Sequence, residues 1–259
     1  MFRSRNAKDI KSYLYISKTK VDSFYHQFKG RPDDGNFSFQ WKFDVATVVS
    51  MSIGAAEEAA EPYLEDKLRQ IIQVLEKSGQ VGTIERPLAF IQGVFPMRWG
   101  IFDDSGLRPD NEGPLVYFGG LKENMLLGLG GSSKHIEGYQ GIGGTTSRSH
   151  TRAIVDFLFD GLDSGEIPKW PGELQRDREA EVYTAMAVAQ HYLKPPTQEL
   201  EFLAKTLSVG HAYGVDHMIG IADAHAVLAT PIYVAHTKRP QDSNHWGLIP
   251  EDVVSPGQQ

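Results

Sequence analysis

Two apolar runs, "LVYFGGL" at 115–121 and "MLLGLGG" at 125–131, are separated only by Lys122, Glu123 and Asn124. Three residues cannot hold a crossover helix, so the runs are predicted to pair as an antiparallel hairpin turning at Lys122–Asn124. Gly119, Gly120, Gly128, Gly130 and Gly131 lie inside these runs. Glycine weakens a strand interior, so this many of them indicates close backbone approach or bulging.

Other segments carry a period of two or of 3.6. "SYLYIS" at 12–17 alternates as a short strand, and Val21, Phe24, Tyr25 and Phe28 then fall on one face of a helix that Gly30 and Pro32 end. Ser17 or Thr19 can cap that helix. "NFSFQWKFDVATVVSMSI" at 36–53 sets Phe37, Phe39, Trp41, Phe43 and Val45 at strict alternation, the clearest half-buried strand pattern in the chain. A strong helix follows, with Tyr63, Leu64, Leu68, Ile71, Ile72 and Leu75 at helical spacing and Gly79 as its stop. The stretch 88–102 reads as a strand interrupted by Gly93 and Pro96, 149–162 and 178–193 as helices, and 163–177 as a linker. "ELEFLAKTL" fits strand or helix, and 226–236 a late strand that Pro231 keeps from a central position. Without regular βαβ alternation, the expected class is α+β: a mixed or antiparallel sheet packed with several helices. It forms one unit over 12–236, with a basic leader at 1–11 and a Pro/Gly-containing tail at 237–259.

The 259 residues include no cysteine, which removes disulfides, thiolate metal sites and thiol nucleophiles. No apolar run reaches the length of a membrane span, and the expected location is cytoplasmic. A net charge of −7 disfavours broad nucleic-acid binding. Residues 1–31 nevertheless hold eight Lys and Arg against Asp9 and Asp22, a run read as solvated.

Three places carry candidate chemistry. "GHAYGVDHMIGIADAHA" at 210–226 holds His211, Asp216, His217, Asp223 and His225. The main reading is a polar loop leading into a strand. The alternative is a divalent-metal hydrolase site using His211, Asp216, His217 and His225, with Asp223 orienting a ligand. "GLGGSSKH" at 128–135 offers Ser132, Ser133, Lys134 and His135 to a nucleotide or phosphate, although it matches neither Gly-rich phosphate fingerprint. A serine nucleophile there lacks the G-x-S-x-G elbow. "FPMRWG" at 95–100 places Arg98 beside Trp99, a pairing favoured at protein interfaces. Its plainer reading has Met97 and Trp99 packed inward.

"YLYISKTKVDSFYHQ", "LEKSGQVGTI", "VFPMRWG", "VYFGGLKENMLLGLGGSSKHI", "EFLAKTL" and "LATPIYVA" occur in this order. The set resembles an uncharacterised, largely actinobacterial family of unknown function that opens with Tyr-Leu-Tyr-Ile-Ser and Lys-Val-Asp. The resemblance implies no activity. The opening strand and helix are also similar to proteins found near bacterial immunity and conflict genes, which implies an accessory or sensing role. The expected function is therefore a bacterial accessory protein that binds a protein partner or small ligand, with an enzyme as the weaker alternative.

Overall fold

The computed structural model describes residues 11–29, 62–102, 113–140, 154–155, 178–194, 196–213, 219–221 and 223–237. The strand pattern at 36–53, the linker at 163–177, most of the helix expected at 149–162 and nearly all of both termini lie outside the described residues. The elements in chain order are β1 (Ser12–Ile16), α1 (Lys18–Lys29), α2 (Leu64–Lys77), β2 (Val81–Gly82) and β3 (Phe90–Phe102). They continue with β4 (Leu115–Lys122), β5 (Met125–Ser132), a 3-10 turn (Ser133–His135), α3 (Arg178–Tyr192), β6 (Gln198–Tyr213) and β7 (Asp223–His236).

The α+β expectation is overturned: five strands close into a barrel, and the described chain is mostly strand. β3 pairs antiparallel with β4, β4 with β5, β5 parallel with β7, β7 antiparallel with β6, and β6 antiparallel with β3. β6 makes the closure. Of its sixteen residues, Gln198–Lys205 pair with Phe90–Met97 of β3 on one edge and Leu200–Tyr213 pair with β7 on the other. The ring order β3-β4-β5-β7-β6, with β5 and β7 parallel and α3 between β5 and β6 in the chain, is the connectivity of an OB-type Greek-key barrel.

Alternation along the strands separates inside from outside. Phe95 and Met97 of β3, Phe118 of β4, Leu127 and Leu129 of β5, Phe202 of β6 and Val227 of β7 form one buried cluster drawn from all five strands, which is the barrel interior. On the outer face, Leu115, Tyr117, Leu126 and Leu228 pack against Met186 and Ala189 of α3. On another outer sector, Phe90, Leu203 and Ile232 meet Phe24 of α1 and Leu68, Ile71 and Leu75 of α2. In OB barrels the outer face of the second and third strands takes the ligand. Here that face is covered, because Met186 lies over Gly128, Ile154 over Gly130, and Gln190 with Leu193 over Gly119.

The hairpin forms where expected, with Glu123 at φ 54 in its turn. Its glycines have specific reasons: Gly128 leaves room for the Tyr117 hydroxyl and Gly131 for that of Tyr15. Two strand expectations need correction. β3 runs unbroken through Gly93 and Pro96. β7 is central, since it pairs with β1, β5 and β6. Pro231 is tolerated because it sits at a bulge in the β6 pairing, after the last register pair with β5 at Ala229 and before the first with β1 at Tyr233. Tyr63, expected on the inner face of its helix, precedes α2 and is exposed.

A Cβ at Gly120 would collide with the Pro96 carbonyl and the Phe95 ring, whereas one at Gly93 would only touch Phe202 at 3.9 Å. Gly120→Ala is therefore expected to destabilise the fold by about 1–3 kcal/mol. Gly93→Ala should stay within about 0.5 kcal/mol of the parent. Denaturant unfolding of both variants checks the contrast; equal effects would contradict this barrel register.

Candidate functional site

The interface pair separates into two roles. Arg98 donates from Nε to Thr197 Oγ1 at 3.1 Å and from Nη1 to the Leu193 carbonyl at 3.3 Å, so it fastens the segment between α3 and β6. It also lines a cavity of about 270 Å³ with Pro96, Gln190, His191 and Thr197. Trp99 is partly buried and tilts against Phe118 at 6.0 Å. Ser132 and Ser133 are buried, Lys134 is exposed and His135 is partly buried.

His135 belongs to a larger basic cluster. The Glu137 amide donates to the Leu14 carbonyl and Ile136 bridges Tyr15, placing the 3-10 turn beside β1. The Ser17 amide donates to the Ile232 carbonyl at 2.9 Å, setting the start of α1 against β7. Lys18 and Lys20, in its first turn, and Lys134 thus lie near enough to His135 for their charges to act on it. Lys205 of β6, opposite Thr230 of β7, flanks Lys20. Lys20 Nζ is bonded to neutral oxygens: Ser17 Oγ at 3.4 Å and the Pro231 carbonyl at 3.3 Å.

The electrostatics follow from this packing. Desolvation, reinforced by Lys205, lowers the Lys20 ammonium to about 7. Desolvation, then the charges of Lys20, Lys134 and Lys18, lowers His135 to about 3. The first turn of α1 has no acidic residue, although the positive end of a helix dipole favours one. Asp22, the nearest carboxylate along the helix, is turned toward Lys67 at 2.7 Å. Two buried hydroxyls nearby in sequence, Ser133 Oγ and Thr230 Oγ1, have no hydrogen-bond partner.

The histidine segment also differs from a loop. His211 on β6 is the cross-strand partner of His225 on β7, and their rings meet edge-on at 5.5 Å. His211 Nδ1 and Asp223 Oδ1 are 2.8 Å apart, with both side chains about half exposed. The structure thus brings together His211, Asp223 and His225 at the end of the barrel that also holds the β4–β5 turn, where the His225 amide donates to the Asn124 carbonyl. Asp216 and His217 lie outside the described residues. Among the described residues, no group of three or more His, Cys, Asp and Glu is placed to hold a metal ion. Among them too, no helix is long and apolar enough to cross a membrane.

A family model covering residues 11–238 matches a family of unknown function (DUF7019). The chain belongs to that family. No curated protein and no solved structure matches it. The family assignment spans both the basic cluster and the histidine end of the barrel, and it supplies no chemistry for either.

Sequence reasoning identified Lys134 and His135 but missed Lys20 and Lys205, because Lys20 was counted within a solvated charge run. The available signal was Lys18 and Lys20 in the first turn of a helix that lacks an acid there, an arrangement the dipole disfavours. Lys20 titrates lower in the folded chain than in the unfolded chain, so the unfolded state binds more protons above pH 7 and stability rises with pH there. Thermal midpoints are expected to climb between pH 7 and 9 and to climb less in Lys20→Met. An unchanged slope in the variant would show that Lys20 is ordinarily solvated.

Proposed function

We propose that this chain is a binding protein, in an accessory or sensing role, whose ligand is a small phosphate-bearing anion held by the basic cluster. The observation that carries this reading is Lys20: its partly buried ammonium is held by neutral oxygens, Ser17 Oγ and the Pro231 carbonyl, beside a second lysine. Such an arrangement costs stability in the free protein. A bound anion would offset the cost by neutralising Lys20, Lys18 and Lys134 together and by accepting from amides at the start of α1. Local rules of charge placement are broken most often at functional sites.

Two features support binding over catalysis. Ser132 and Ser133 are buried within the end of β5 and its following turn, away from the exposure a nucleophile needs. The outer face of β4 and β5, where other barrels of this connectivity take nucleic acid, is occupied by α3. A small ligand at the seam of α1, β7 and the turn therefore fits better than a polymer laid across the barrel.

Thermal-shift and calorimetric titration with inorganic phosphate, pyrophosphate and a nucleoside diphosphate tests the reading. Pyrophosphate at 100 times its dissociation constant should add about 2.7 kcal/mol of stability. Because the anion prefers the charged amine, affinity should weaken as pH rises from 7 to 9, and Lys20→Met should lose at least tenfold. No shift with any of the three anions, or equal binding by Lys20→Met, would overturn it.

A further inference from the structure

We propose that the cavity beside Arg98 is a second binding site, for a small carboxylate that carries a hydroxyl or amine on the neighbouring carbon. It shares no residue with the basic cluster and stands independently of it. Arg98 of β3 pairs with Gly119 of β4, and Phe95, Met97 and Phe118 fill the barrel interior. Strand alternation therefore sets Pro96, Arg98 and Leu121 on the outer face. The last turn of α3 comes down over Gly119, where an added Cβ would lie 2.5 Å from Gln190 Oε1 and 2.8 Å from Leu193 Cδ1. A space of about 270 Å³ remains between that helix end, the two strands, Thr197 and Ile219. Pockets for drug-sized ligands run from about 300 to 1,000 Å³, so this one takes a smaller molecule.

Two polar groups in its wall have unused hydrogen-bonding capacity. A guanidinium has five N–H donors. Arg98 spends one on Thr197 Oγ1 and one on the Leu193 carbonyl, a clamp at the C-terminal end of α3, where the helix dipole favours a cation. The other donors are left over, and among the described residues no carboxylate pairs with this arginine. Gln190 supplies the opposite function. Its Oε1 is buried without a hydrogen-bond partner, a costly condition for an amide oxygen. The remaining wall is apolar: Pro96 and Leu121 are partly buried and Ile219 is buried.

A ligand that satisfies both groups brings an acceptor to one and a donor to the other. A carboxylate matches the planar, charged fork of Arg98. A hydroxyl or amine on the next carbon donates to Gln190 Oε1, which a turn about the soft terminal torsion of that side chain brings to face the ligand. A short aliphatic tail then rests on Leu121 and Ile219.

The test titrates 2-hydroxybutanoate into the full-length protein and follows amide chemical shifts. Butanoate, which lacks the hydroxyl, and 2-hydroxybutanamide, which lacks the charge, are the matched comparisons. Saturating shifts are expected at Arg98, Gln190, Thr197 and Ile219, with affinity roughly tenfold weaker for the amide and roughly fivefold weaker for butanoate. Gln190→Met keeps the side-chain length without the amide and should bind the two acids alike. Leu121→Trp fills the cavity without removing a partner of Arg98 and should lose the saturating shifts while its spectrum stays that of a folded chain. No saturating shift at these four residues, undiminished binding in Leu121→Trp, equal affinity for the hydroxy acid and its amide, or a hydroxyl preference that survives Gln190→Met overturns the proposal.

Discussion

The architecture depends on β6 reaching two partners at once. The same stretch, Leu200–Lys205, pairs with β3 on one edge and with β7 on the other. With register shifts at Leu203/Ala204 and Thr206/Ser208 in its pairing with β7, β6 turns a sheet into a ring. The bulges supply the bend that closure requires. Closure gives the barrel strands an inside, filled by Phe95, Met97, Phe118 and Phe202, and an outside that helices must cover. Coverage by α3 removes the open face on which this connectivity usually binds its ligand, so chemistry is left to the ends and seams.

The principal seam lies along β7. Its edge is shared by β5, whose register ends at Ala229, and by β1, whose register begins at Tyr233. Between them, residues 230–232 have neither neighbour, and the backbone groups there must find other partners. The Ile232 carbonyl accepts from Ser17 and the Pro231 carbonyl from Lys20. The start of α1 is thus drawn into the gap by the same hydrogen bonds that desolvate its lysine. The 3-10 turn that ends β5 arrives at the other side of β1 and adds Lys134 and His135. Basic residues from three parts of the chain are concentrated because a ladder changes partner there.

This explains which features were legible in the sequence. The hairpin at 115–131 was plain, because two apolar runs separated by three residues have one way to pair. Helices α1 and α2 followed from periodicity, and Gly79, at φ 66, marks the end of α2 as expected. Closure was not legible: nothing local to "ELEFLAKTLSVGHAY" shows that one strand serves two neighbours. Pro231 was misleading for a related reason, since the rule against proline in central strands assumes an unbroken ladder on both edges. The histidine segment was read as a loop because of its glycines, yet Gly210 lies within β6, where it leaves room for the Tyr183 ring of α3. At the candidate site, Lys134 and His135 were visible through their glycine-rich context. Lys20 looked like one charge in a solvated run, and only the packing of α1 against β7 shows that its ammonium is partly buried against the Pro231 carbonyl.

The central claim is that the seam of α1, β7 and the 133–135 turn is where this protein meets an anion. Amide chemical-shift mapping of the full chain during a pyrophosphate titration measures it directly. The account predicts that saturating shifts are largest at Ser17–Lys20, Ser133–His135, Thr230 and Ile232, and that His211, Asp223 and His225 stay still. Saturating shifts centred on the histidine end of the barrel, or none that saturate anywhere, would contradict it.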